Sequence, residues 1–259
     1  MKKILIIAPL LTITDAAASS FDDPVLWLRE LGISQAGIGA DPGSICLADF
    51  EIYAAYTNPY QIGRLRWNDL FLKKGFESWG IHGRFNSYRL EEYYNRYGYE
   101  LGSAFRAIDS LVLLAALRHE EENYAGFGSF EKREMDARFA YRRFGLSIGA
   151  GLSGIVLSED HDTGNSGRVR AWGSCSYEFS RAISLTASVR RFSNGTTRWL
   201  FGQDLRVSEE LNLTIGYMNR PDLIFGKLIV SHGSYLFEFT YYSVSSLNDT
   251  VIVGIGYKR

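Results

Sequence analysis

The chain has 259 residues, 46% of them hydrophobic, with 28 Lys plus Arg against 29 Asp plus Glu. A formal charge of -1 excludes the basic footprint of a nucleic-acid binder, and no segment reaches the ~20 apolar residues of a membrane helix. A mean hydropathy of -0.10 fits a Tyr-rich soluble β protein, yet does not exclude a membrane barrel, in which only every second residue meets lipid.

The chain opens like an export signal. Lys2 and Lys3 precede an apolar run from Ile4 to Ile13, and Ala16, Ala17 and Ala18 supply small residues for cleavage after Ala18. Residues 1–18 are therefore read as a signal peptide. Residues 19–48 are read as a separate N-terminal hatch. Phe21 to Leu31 predicts a short amphipathic helix, with Asp22 or Asp23 as cap, Pro24 in the first turn and Gly32 at its end. The stretch that follows is too glycine-rich for regular structure, and Gly37, Gly39, Asp41, Pro42 and Gly43 are its candidate hatch residues.

From residue 49 the pattern changes to strict alternation. Ile183, Leu185, Ala187 and Val189 interleave with Ser184, Thr186, Ser188 and Arg190. Tyr235, Phe237, Phe239 and Tyr241 flank Glu238 and Thr240, while Val251, Val253, Ile255 and Tyr257 flank Gly254 and Gly256. Side chains of a strand alternate between faces, so each segment is a two-faced strand. The segments 50–58, 64–73, 76–87, 93–105, 108–119, 132–142, 144–157, 167–179, 182–192, 196–207, 210–219, 222–232, 234–244 and 249–258 predict a transmembrane antiparallel β-barrel over 49–259. The count is about fourteen strands, with twelve also compatible.

The links test this reading. Counting back from a last strand that ends in the periplasm, the outer loops fall at 59–63, 88–92, 120–131, 158–166, 193–195, 220–221 and 245–248. The two longest polar links, His119 to Glu131 and Ser158 to Ser166, then lie outside, and the tight links Arg143-Phe144 and Phe179 to Ala182 lie inside. Bacterial barrels show this asymmetry.

The polar phase carries both signs of charge. Candidate lumen-lining residues are Arg84, Glu100, Arg106, Arg118, Glu134, Asp136, Arg138, Arg142, Arg168, Arg170, Glu178, Arg190, Asp204, Arg206 and Glu238. They serve either as the lining of a selective pore or as a ladder of Arg–carboxylate pairs that holds the lumen nearly closed. Cys175 falls on the apolar phase of its strand, away from Cys46 in the hatch, so two separate thiols are expected.

A family resemblance rests on the N-terminal stretch. Leu31-Gly-Ile-Ser-Gln-Ala-Gly-Ile-Gly-Ala40, followed by Asp41-Pro42-Gly43, resembles the hatch and its Asn-Pro-Ala-like signature in outer-membrane barrels of the FadL and PorV type. Glu51 to Gly63 is similar to the first strand and outer turn of shorter members. A second alignment puts the signature at Asn58-Pro59-Tyr60; the first preserves the even strand count. The resemblance implies a fourteen-strand barrel with a plug. It also implies either transfer of hydrophobic molecules or partnership with a secretion apparatus.

Other chemistry is weakly signalled. His82, His119, His161 and His232 have no metal-ligand spacing. His161 lies beside Asp160 and Asp162 in a loop that reads as a solvated acidic segment, with hydrolysis or weak cation binding as the sharper alternatives. Gly37, Gly39 and Gly43 lack the strand–turn–helix context of a nucleotide fingerprint. The sequence thus predicts a non-enzymatic bacterial outer-membrane protein without cofactor or metal. It passes small solutes, hydrophobic ones included, or else acts as a non-conducting scaffold or secretion partner. Expected partners are the lipid bilayer, the outer-membrane assembly machinery and an envelope protein, with no nucleic acid.

Overall fold

The computed structural model describes residues 45–46, 49–58, 65–126, 128–159, 170–191, 195–219, 222–244 and 249–259. The signal peptide and hatch residues Gly37, Gly39, Asp41, Pro42 and Gly43 lie outside the described residues, as do Arg168 and the loop around His161.

Fourteen strands follow one another: β1 Glu51–Asn58, β2 Leu65–Phe76, β3 Trp79–Leu90, β4 Tyr94–Ile108, β5 Leu111–Tyr124, β6 Gly128–Arg143 and β7 Leu146–Glu159, then β8 Arg170–Glu178, β9 Ile183–Arg191, β10 Thr197–Arg206, β11 Leu211–Met218, β12 Leu223–His232, β13 Tyr235–Val244 and β14 Thr250–Lys258. Each pairs antiparallel with its sequence neighbours. β1 pairs β14 from Glu51↔Lys258 to Asn58↔Val251, which closes the barrel and leaves no free edge. The predicted transmembrane β-barrel and its fourteen strands are what the chain forms.

The alternation that defines the strands also sets their faces. On β13, Tyr235, Phe237, Phe239 and Tyr241 are exposed outward, and Leu236, Glu238, Thr240 and Tyr242 are buried inward. On β4, Leu101 and Phe105 point out and Glu100, Gly102 and Ala104 point in. No aqueous environment would favour so continuous an exposed band of Leu, Phe, Ile and Tyr. In a bilayer the same band is solvated by acyl chains.

The two ends of the barrel differ. At one end the links are 77–78, 109–110, 144–145, 179–182, 207–210 and 233–234. The link 144–145 shows how tight they are: Phe144 and Gly145 both take positive φ, 53° and 74°, the geometry of a two-residue hairpin turn. Ring pairs gather at both ends: Phe76 stacks on Trp79 and Tyr177 meets Phe179 edge-on here, while Tyr94 meets Tyr88 and Tyr124 at the other. At that other end the sequence separation is largest between β7, which ends at Glu159, and β8, which begins at Arg170.

Two outer links depart from expectation. The segment 120–131 is not a loop: β5 runs on to Tyr124 and β6 begins at Gly128, leaving 125–127 as the link. Likewise β3 and β4 extend to Leu90 and from Tyr94, so 88–92 shrinks to 91–93. Beyond the bilayer the outer face of a strand meets water, so Glu121 can stand outward between Glu120 and Glu122 and the stretch stays paired without any alternation to reveal it.

Candidate functional site: a lumen with two walls

The inward face divides into two regions. From β2 through β8 it carries interlocked charges. His82 Nε2 lies 2.9 Å from Glu100 Oε1, and Arg118 Nη2 donates to the other oxygen of Glu100 at 2.8 Å. Arg118 also reaches Asp136 Oδ2 at 3.4 Å, which accepts from Arg138 at 2.8 Å. The second oxygen of Asp136 accepts from the Gly154 amide at 3.0 Å. That amide is available because β7 bulges there, with Gly154 at φ 73°. Around this chain, Arg84 grips Asp69 through two bonds of 2.9 and 3.1 Å, Arg170 and Lys132 both reach Glu134, and Arg96 binds Glu120 at 2.7 Å. Bidentate and shared contacts of this kind fix geometry, because the planar fork of a guanidinium matches the two oxygens of a carboxylate.

Space for these groups comes from small residues on the same face. A Cβ at Gly102 would lie 2.1 Å from His82 Cε1 and 2.9 Å from Ala116 Cβ, so the imidazole occupies the place of a side chain.

From β10 round to β2 the inward face is mainly apolar. Leu200, Met218, Leu223, Phe225, Ile229, Leu236, Tyr242 and Ile252 join Tyr53, Ala55 and Trp67 in one buried cluster. Here too glycine permits close packing: Gly216 lies under the Phe225 ring, and Gly254 and Gly256 lie under Tyr53. Polar groups interrupt this cluster: Thr57, Thr214, Thr240 and Thr250 are buried on the same face, and Lys73 meets Glu51 at 3.0 Å. Lys227 meets Glu238 at 3.3 Å, and Asp204 accepts from Thr214 at 2.5 Å and Ser184 at 3.3 Å.

The structure brings Arg84, Glu100, Arg118, Glu134, Asp136, Arg138 and Arg170 together on the charged wall. It places Arg190, Asp204 and Glu238 inward on β9, β10 and β13. Three candidates stand apart from both groups. Arg142, Glu178 and Arg206 occupy the rim beside the short links, where Arg142 and Glu178 pair at 2.6 Å with side chains 64% and 30% exposed. They lie on the inward phase but past the end of the enclosed interior. Arg106, half-buried, sits at the β4 bulge between Arg106 and Ile108.

Sequence reasoning missed Asp69, Lys73, His82, Arg96, Glu120, Lys132 and Lys227. On β2 the phase is disguised: Leu65, Trp67 and Phe71 point inward beside Asp69 and Lys73, while Arg66 and Asn68 point outward. Glu120 was within reach, since it continues the period-two run from Arg118. Of the hatch region 19–48, Ile45 and Cys46 are described. Both are buried within the barrel against Ala104, Val112, Leu114 and Ala116, and a Cβ at Gly80 would lie 2.7 Å from the Ile45 carbonyl. Cys175 is exposed on the outer wall, and no disulfide joins the two cysteines.

No family model matches the chain, and no curated protein matches it. Solved structures do. The monoaromatic hydrocarbon channel CymD superposes with a TM-score of 0.61 at 9% identity, covering 88% of this chain and 93% of that one. The toluene transporter TodX of Pseudomonas putida gives 0.61 at 8% identity, with coverage of 85% and 92%. The outer membrane protein Omp33 of Acinetobacter baumannii gives 0.54 at 9% identity, with coverage of 82% and 98%. At such identities the likeness is one of fold, and the resemblance to FadL-type barrels holds at the level of architecture.

Proposed function

We propose that this barrel resides in the bacterial outer membrane and passes small solutes with a substantial apolar part, the N-terminal segment controlling access. The observation that carries this reading is the division of the lumen. A uniformly charged interior would suit ions and sugars. A wall that carries a large cluster of Leu, Met, Phe, Ile and Trp, set beside a wall of held charges, suits a molecule with an apolar body and a polar edge. Structures of the same fold that are described as channels for monoaromatic hydrocarbons and toluene support the choice of solute class. The protein is read as a transporter and not as an enzyme, with the bilayer and the assembly machinery as its obligatory partners.

Liposome uptake of a monoaromatic probe and planar-bilayer conductance test the reading. Full-length protein should admit the probe, and deletion of residues 19–48 should raise both uptake and conductance. A barrel that passes neither probe nor current in either form would overturn it. One observation favours a second reading, a non-conducting scaffold or PorV-like secretion partner: the carboxylates of the charged wall are so thoroughly paired that the wall resembles a rigid filling. Stoichiometric co-purification of an envelope protein, with no uptake, would decide for it.

A further inference from the structure

The outer wall of β2, β3 and β4 changes character within a few residues. Toward the middle of the barrel the outward side chains are Leu72 and Leu70 on β2, Ile81 and Phe85 on β3, and Leu101 and Tyr99 on β4. One outward position further along stand Asn68, Ser87 and Tyr97, with Asn68 Nδ2 donating to Ser87 Oγ at 3.3 Å. One further still are Arg66 and Arg89, both exposed. The register places Arg66 directly opposite Arg89, so their Cα atoms are about 5 Å apart.

Two like charges opposite one another on neighbouring strands repel and destabilise the pair. No carboxylate pairs with either guanidinium among the described residues. Arg89 Nε donates only to the Glu91 carbonyl, at 3.3 Å. The position is equally specific. Strands rise about 3.4 Å per residue and tilt by roughly 40°, so Arg66 stands on the order of 10 Å higher than Leu70. That is the level of lipid headgroups, and arginine side chains can bend back toward it.

We propose that Arg66 and Arg89, with Asn68 and Ser87 beneath them, form a binding site for the phosphate of an anionic lipid of the outer leaflet. A phosphate bridging two guanidiniums turns their repulsion into a shared attraction, since each fork can present two parallel N–H donors. The amide and hydroxyl below suit the sugar or glycerol oxygens next to the phosphate, and Leu70, Phe85 and Tyr99 suit the acyl chain. The outer-leaflet assignment rests on the outer-membrane reading above. Lipid retention does not depend on solute transfer, so the two readings can fail separately.

The test uses full-length barrel in detergent, mixed with a bis-phosphorylated disaccharide lipid or its dephosphorylated form, with bound lipid counted by native mass spectrometry. The native barrel should retain the phosphorylated lipid and not the other. Arg66→Gln with Arg89→Gln should weaken retention by on the order of tenfold or more. Arg181→Gln with Lys258→Gln, which removes the same charge from the opposite rim, should leave it unchanged. A gel shift on heating confirms that each variant is folded, and the single substitutions carry the comparison should the double variant not fold. Equal retention of both lipids, or undiminished retention by the Arg66/Arg89 variant, overturns the proposal. If inorganic phosphate alone raises the heat-induced transition as much as the lipid does, the lipid assignment falls.

Discussion

The inward face of β5 runs Val112, Leu114, Ala116, Arg118, Glu120, Glu122, whereas that of β12 runs Leu223, Phe225, Lys227, Ile229, Ser231. Both strands turn an apolar face outward, both pair antiparallel on each side, and both fill the same lumen. They fill it by different physics. β5 depends on partners placed at the right height on β4 and β6, because a buried guanidinium without a carboxylate is costly. β12 depends on shape, and the needed complement is an absence of side chain, as at Gly216 beneath Phe225. A charged wall therefore constrains residue identity across several strands at once, while an apolar wall constrains only volume, and tolerates exchange so long as volume is kept.

The largest expected effect tests the charged wall. Asp136→Ala strips acceptors from Arg118, Arg138 and the Gly154 amide together. It should destabilise the barrel by about 3–5 kcal/mol, as removal of one member of a buried ion network does. Urea unfolding in vesicles, followed by tryptophan fluorescence, measures this; an unchanged midpoint would show that water already shares the lumen with these charges. Gly216→Ala probes the other wall. Its Cβ would lie 2.3 Å from Phe225 Cζ and 2.5 Å from the Phe201 carbonyl, and the backbone cannot give way as a side chain can. The overpacking cost should be about 1–3 kcal/mol, read in the same unfolding assay. The smallest change is expected from Arg142→Ala at the rim. Its pair with Glu178 is geometrically close at 2.6 Å, yet both groups touch water, so the loss should stay below about 1 kcal/mol. A larger loss would extend the charged wall to the rim.

The same comparison explains what could be read from the sequence. All fourteen strands were legible because the bilayer demands apolar residues outward on every strand, and that demand alone produces the alternation. Nothing outside the barrel dictates the inward face. Where it is charged the alternation is sharp, and Glu100, Arg118, Asp136 and Arg138 stand out, though the run Leu111 to Leu117 on β5 is apolar on both phases. On β12 the run Leu223-Ile224-Phe225 is apolar on both phases, and no periodicity says that Phe225 packs inside while Ile224 meets lipid. The pairing pattern was also out of reach. His82 meets Glu100 diagonally across strands, not in direct register, where His82 faces Gly102. Such a contact depends on side-chain reach and on the space left by a glycine, neither of which spacing within one strand reveals.

The junction of β1 and β14 has a consequence for assembly. Every other pairing joins strands adjacent in sequence and can form as the chain emerges; only this one joins the two ends of the barrel, from Glu51↔Lys258 to Asn58↔Val251. Contacts of such separation form late, because the whole intervening chain must first be ordered. The junction also carries its own gauge of register. Tyr53 sits over the paired glycines Gly254 and Gly256, and a slip by one residue would bring Val253 or Ile255 to the inner face in their place. The ring then has nowhere to lie. Tyr53 and its two glycines thus act as a tongue and slot at the last seam to close, admitting a cylinder of one circumference and rejecting a misaligned one before it seals.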